Sequence, residues 1–256
     1  VMAFLEVTLG SASLPWHSLQ AGLLAGPASH DIAARIIWSL RMPRLVLAFL
    51  TGAILAGAGA LLQAVTRNPL ADPFLFGLSS GSATGAVAVI VLLGDVFGVW
   101  TIAFGAVGGA FLATSALLLL VSFRSRSGAR VSTERMLLSG LAISFVFSTL
   151  TNLLIFWGDR NTAQSVLFWT MGSFSAARWS ALPLVVLGLL PVIFGKWAFG
   201  ADLDALMAGE ETAASLGVQT RKLRLCVLAL CAFSCATTVA LCGPIGFVGL
   251  IVPHLI

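Results

Sequence analysis

All four cysteines of the chain, Cys226, Cys231, Cys235 and Cys242, fall in its last hydrophobic region, and Cys231, Cys235 and Cys242 share one helical face. Thiols placed this way could hold a soft metal ion. Small apolar side chains buried in a core are the better reading of them. His17, His30 and His254 are too scattered to complete a cluster, so no metal site is assigned. A GxxxxGK[S/T] phosphate loop is absent, which removes one standard device for hydrolysing nucleotides. Well-defined hydrophobic spans carry no charge near their middle, where a proton-coupled or ion-coupled carrier would place one. The chain is therefore not expected to be an enzyme or to bind a cofactor of its own. No nucleic-acid signature is present either.

Charge gathers instead in Gly200 to Arg224, GADLDALMAGEETAASLGVQTRKLR, a polar interlude between oily stretches. Asp202, Asp204, Glu210 and Glu211 supply four of the ten acidic residues, and Arg221, Lys222 and Arg224 follow. The pattern predicts two short helices over about 201–218. Asp202 opens the first, with Leu203, Leu206 and Met207 on one face, and Gly209 ends it. Glu210 and Glu211 open the second, and Gly217 ends it after Leu216. Acid at a helix start complements the dipole, and glycine just past the end takes the left-handed closing conformation. Isolated helices need about 12–15 residues to persist in water, so both must be docked. Two uses fit: an ordered turn packed on its own protein, or a platform for a soluble partner. Ala213, Ala214 and Gly217 leave part of the second helix without bulk, as a closely fitting partner would require.

The elements around this interlude are membrane spans. The chain is 59% hydrophobic and 9% charged, with a mean hydropathy of +1.03, against about 25% charged residues in a soluble domain. A span needs about 20 apolar residues. Charge-free gaps of that length run from Leu45 to Thr66, Pro73 to Gly94, Val96 to Phe123, Met136 to Gly158 and Leu225 to the end. Trp179 to Gly195 becomes long enough if Lys196 snorkels. The reading is an all-α polytopic bundle forming one transmembrane domain over 1–256. Val1 to Leu9 reads as the end of a further span cut short, and Gly10 to Leu40 as an interfacial loop.

Between the spans, Arg41-Met42-Pro43-Arg44 introduces the first full helix, and Thr66 to Pro73 is a turn because its two prolines cannot sit inside a regular helix. Gly77, Gly81 and Gly85 recur every four residues, and Gly105 and Gly109 repeat the device in the next span. Such faces let helix backbones approach closely in lipid. Gly158 to Arg178 reads as a short helix on the outer surface. Pro183 and Pro191 are expected to kink the following span, and Gly243 to Gly249 to break the last region. Placing the arginine-rich loop 124–135 in the cytoplasm puts nine basic residues inside and five outside, as the positive-inside rule asks. The Gly200 to Arg224 interlude then also faces the cytoplasm. A pump without its own motor needs one from another chain, and the interlude is its natural contact.

Several segments resemble, in order, signatures of the permease subunits of bacterial iron-chelate and cobalamin ABC importers. They are RMPRLVLAFLTGAILAGAGALLQAVTRNPLADPFLFGLSSGSATG, STERMLLSG, FWTMGS, MAGEETAASLGV and GPIGFVGLIVPH, running from about Arg41 to His254. The resemblance implies a fold of ten transmembrane helices per subunit, of which this chain lacks most of the first and the last two. It implies a homodimer in the bacterial inner membrane, with two cytoplasmic ATPase subunits that hold the ATP and a periplasmic substrate-binding protein. The cargo would be a ferric siderophore or haem ahead of cobalamin. Arg41 and Arg44 resemble the outer arginines that meet carboxylates on the binding protein. Asn68 and Leu70, with Thr133 and Glu134, resemble the positions that close the pathway on the cytoplasmic side; Glu134 departs from the small polar residue common there. Asp202, Leu206, Gly209, Glu210, Glu211, Ala213, Ala214, Leu216 and Gly217 fall in the ATPase-coupling segment. The rival is a secondary carrier or membrane-embedded enzyme working alone, which would need buried ionisable pairs or clustered ligands within the spans.

Overall fold

A computed structural model describes residues 15–74, 76–94, 99–125, 133–158, 164, 166–167, 169–175 and 177–255. Those residues form helices and connecting turns, without a strand among them. The expected span remnant Val1 to Leu9 lies outside them. The helices are α1 (Trp16–Ala25), α2 (Ile32–Ile36), α3 (Met42–Thr66), α4 (Leu78–Leu92), α5 (Val99–Ser125), α6 (Thr133–Trp157), α7 (Leu182–Ala208), α8 (Glu210–Ser215), α9 (Thr220–Cys242) and α10 (Val248–Ile251).

The first full span begins earlier than expected. α2 continues through a π-helical turn, Ile37–Arg41, into α3, so that Ile32–Thr66 is one apolar helical run of 35 residues. Arg41 to Arg44 therefore sits inside a helix and does not introduce one. Pro43 lies just beyond the π turn. The Met42 N–H reaches back to the Ile37 carbonyl, and Pro43 has no N–H to offer the next carbonyl, that of Trp38. Trp179 repairs the loss: its indole Nε1–H donates to the Trp38 oxygen at 2.7 Å. Trp38 in turn donates its own indole N–H to the Gly22 carbonyl of α1 at 3.3 Å. Two tryptophans thus tie α1, α3 and the start of α7 together.

α9 is the centre of the bundle. It packs against α3, α4, α5 and α7, and 72% of its most apolar window is buried, compared with 11% for α6. Its thiols serve this packing: Cys231 donates to the Ala58 carbonyl at 3.6 Å, and the Cys242 sulfur lies 3.7 Å from the Thr51 hydroxyl, both on α3. Cys235 is buried as well, and Cys226 is exposed.

Among the described residues, five helical stretches are long and apolar enough to cross a membrane: Ile32–Thr66, Trp100–Leu120, Leu137–Trp157, Trp179–Ala208 and Thr220–Cys242. The expected span Pro73 to Gly94 is shorter than its charge-free gap. α4 starts only at Leu78 and has 15 residues, roughly 22 Å at 1.5 Å per residue. Pro73 and the Asp72 side chain hold the preceding residues in turns, and Gly77, at φ 77°, delays the helix in a conformation other residues rarely adopt. Non-helical backbone at such a depth is tolerated where protein covers it, and Ala71, Asp72 and Phe76 are all buried.

Gly81, Gly85, Gly105 and Gly109 form one α4–α5 contact. A Cβ on Gly85 would run into the Gly105 carbonyl oxygen, and one on Gly109 into that of Gly81. Gly77 belongs to a different contact, against Ile143 of α6. Across the α4–α6 interface the Thr84 hydroxyl bonds both the Phe147 carbonyl and the Thr151 hydroxyl, each at 2.8 Å.

Candidate functional site

The polar interlude is built differently from its expected outline. α7 runs unbroken from Leu182 to Ala208 and carries Asp202 and Leu206 as its last turns. The expected separate first helix is therefore the end of the span. No residue between Lys196 and Ala208 stops a helix except Gly200, and one glycine costs only about 1 kcal/mol. Pro183 falls in the first turn of α7, where a missing N–H does no harm, whereas Pro191 lies inside the helix. Gly209 ends α7 at φ 141°, and α8 follows directly.

α8 has six residues and is held at both ends. Its C-terminus closes as a Schellman motif: the Val218 N–H bonds the Ala213 carbonyl at 2.9 Å and the Gly217 N–H that of Ala214 at 3.0 Å, with Gly217 left-handed at φ 83°. Its N-terminus is held by an ion pair between Glu210 Oε1 and Arg224 Nη2. Leu203, Leu206 and Ala213 point inward and are buried. Met207, Glu211, Ala214, Leu216 and Gly217 point outward, with Leu216 68% exposed. The residues expected from the sequence to couple thus include a buried set, Leu206 and Ala213, and an exposed set, Glu211, Ala214, Leu216 and Gly217. Beside α8 lies an open cleft lined by Phe199, Asp202, Leu216, Val218, Lys222 and Cys226.

Arg224 also reaches the next element. Its Nε–H donates to the Val65 carbonyl at 3.4 Å, in the last turn of α3. α3 closes there with its own Schellman motif. The Arg67 N–H bonds Ala64, the Asn68 N–H bonds Gln63 at 3.1 Å, and Arg67 takes the left-handed position that glycine usually fills. Asn68 Oδ1 then accepts the Leu70 N–H at 2.9 Å, which presents Leu70 with 63% exposure. Thr133 and Glu134 begin α6, and their side chains lie outside the described residues.

The far end of this loop is pinned by Asp72. Its Oδ1 accepts the Phe74 N–H at 2.7 Å, and the carboxyl also meets the Leu250 N–H of α10. Burial pushes the Asp72 carboxyl above its usual range, opposed by these two N–H groups. Gln63 Nε2 donates to the Gly249 and Leu250 carbonyls at 3.4 Å. The Ser173 N–H bonds the Cys242 carbonyl at 2.7 Å, so the FWTMGS and GPIGFVG segments meet although they are far apart in the chain. Sequence reasoning missed Arg224 and Asp72 as organising groups, since their partners lie on other elements and no spacing rule joins them.

On the opposite side, Arg41 and Arg44 separate by environment. Arg44 is exposed, whereas Arg41 is buried in the π turn. Among the described residues no three His, Cys, Asp or Glu side chains are placed to hold a metal ion.

The whole chain, residues 1–256, matches the model of the FecCD transport family. The chain belongs to that family. It is 36% identical over 258 residues to the cobalamin import system permease protein BtuC of Halobacterium salinarum, covering 98% of this chain and 66% of the relative. With the hemin transport system permease protein HmuU of Yersinia pestis it shares 34% identity, covering 98% of this chain and 74% of that protein. A solved metal-chelate type ABC transporter in an inward-facing conformation superposes with a TM-score of 0.78 at 30% identity. That match covers 99% of this chain and 76% of the other. The chain thus spans about two thirds to three quarters of the length of these relatives. As a FecCD member with five membrane-length apolar helices among its described residues, it is a multi-pass membrane protein.

Proposed function

We propose that this chain is the permease subunit of an ATP-binding-cassette importer that carries a metal chelate, haem or cobalamin across the cytoplasmic membrane. Its working form in this reading is a homodimer with two ATPase subunits on the cytoplasmic side and a periplasmic binding protein outside. ATP is bound and hydrolysed on the ATPase subunits. The observation that carries the reading is α8, a six-residue helix fixed by a buried base, Arg224, and by a buried face, Ala213, yet presenting Ala214, Leu216 and Gly217 outward. An element so short needs outside support to hold its shape, and this one is fixed from behind with its small-residue face left open. Arg44 is assigned to docking of the binding protein, and Asn68 and Leu70 to the cytoplasmic gate with Thr133 and Glu134.

Relatives named for cobalamin and for hemin lie at similar identity, so the cargo is given as a class. Two measurements test the reading. Affinity purification of the tagged permease from its native membrane should bring down a nucleotide-hydrolysing chain. Hydrolysis in proteoliposomes should rise when the loaded binding protein is added. Purification as a lone chain that transports without ATP would sink the proposal.

A further inference from the structure

We infer that Arg224 is a positioning residue that transmits motion of α8 to the cytoplasmic gate loop. The inference rests on the permease reading above and adds the path by which coupling travels. Arg224 is 9% exposed, and a guanidinium so buried requires partners to offset its desolvation. Two of those partners lie on different elements: Glu210, the first residue of α8, and the carbonyl of Val65, one residue before the end of α3. The last four carbonyls of a helix have no donor within it, and positive charge there complements the dipole. The fork of Arg224 therefore joins the start of α8 to the end of the helix that carries Arg67, Asn68 and Leu70. Thr66 separates Val65 from the left-handed Arg67. A shift of α8 drawn through this fork would act where the gate loop leaves its helix.

A plain anchoring role makes a different prediction. If Arg224 only snorkelled its charge to the interface, lysine would serve as well. A fork that must hold a carboxylate and a carbonyl at once is not replaced by a point charge.

The experiment places a reporter on the gate. In a Cys226→Ser background, Leu70→Cys permease is reconstituted with the ATPase subunit that co-purifies with it. The rate of labelling by a membrane-impermeant maleimide is then measured without nucleotide and with ATP plus vanadate. Glu210→Gln, Arg224→Lys and, as an exposed neighbouring charge, Arg221→Gln are compared in that background. ATP plus vanadate is expected to change labelling at least about fivefold in the parent and in Arg221→Gln, the lower end of ordinary allosteric coupling, and less than about twofold in the other two. Labelling is read only in complexes that retain the ATPase subunit, and Arg221→Gln is expected to keep association and hydrolysis per complex at the level of its parent.

A merely structural role would lower the yield of complex and leave the nucleotide response of assembled complexes intact, and that result would overturn the inference. So would full responses in Glu210→Gln and Arg224→Lys, or a parent whose ATPase binds and hydrolyses while labelling does not change. If Arg224→Lys fails to insert, Glu210→Gln decides alone, since Glu210 is partly exposed. A parent that recruits no ATPase subunit at all marks failure of the permease reading itself.

Discussion

Asp72 shows how much one side chain can organise here. It is buried, closes the turn before α4, and meets a backbone N–H of α10 from a distant part of the chain. Asp72→Ala leaves the Phe74 N–H without its acceptor, whereas the Leu250 N–H keeps the Phe247 carbonyl at 3.2 Å, and an unsatisfied buried group costs about 1–3 kcal/mol. Thermal unfolding in detergent should register the loss. Because burial holds the folded pKa above the unfolded value of 3.8, the neutral form is the one the fold prefers. The stabilising contribution is fully present below the unfolded value and is lost as pH rises through the folded one. The melting temperature of the wild type, measured relative to Asp72→Asn, should therefore fall as pH rises through that window. A difference independent of pH would show that the charge is not what the site resists. None of this is legible in the NPLADP segment itself. The sequence marks a turn through its prolines, but the partner of Asp72 lies on α10, and only the fold brings the two together.

At the scale of elements, amphipathic and glycine spacing is informative and boundaries are not. The GxxxG pairs of α4 and α5 lie against one another because only their missing side chains allow carbonyl and backbone to touch. Gly85→Leu should therefore separate these helices, at the cost of about 1–3 kcal/mol usual for overpacking, and lower the yield of folded permease. Gly108→Leu, where a Cβ meets nothing within 4 Å, should leave the yield unchanged. Equal yields would refute the close approach. The coupling segment illustrates the converse. Asp202 looks like a helix start because acid favours that position, yet α7 simply continues, since nothing before it breaks the helix. The same segment hides which alanine faces out. Ala213 is fully buried within the chain while Ala214 is exposed. Ala213→Trp should cost stability with or without a partner, so Ala214→Trp is the discriminating change. It should insert and fold normally but lose ATPase association, seen as loss of the ATPase band on co-purification. Normal assembly of Ala214→Trp would leave α8 as a turn between two membrane helices.

For the molecule as a whole, charge gathers at two ends of the bundle, around α8 and around the π turn. At the end that carries α8, Arg224 is buried and spans α8 and α3, while Arg67, Lys196, Arg221 and Lys222 are exposed. The opposite end has a pair of arginines that the sequence presents as equivalent and the fold does not. Arg41 lies in the π turn before Pro43 and is 8% exposed, while Arg44 points outward. A salt-screened contact with an acidic binding protein can draw only on the exposed charge, since screening acts over about 8–10 Å in solvent and weakly on buried groups. Arg44→Glu should therefore slow association with the binding protein, and the effect should shrink as salt is raised. Arg41→Glu would instead place a carboxylate in a site built for a guanidinium, and its first consequence should be a lower melting temperature. Surface plasmon resonance at low and high ionic strength, run beside thermal unfolding of the same two proteins, separates these outcomes. If reversal at Arg41 proved to weaken docking more than reversal at Arg44 while leaving stability untouched, the end that carries them would have to open on binding and expose Arg41 to its partner.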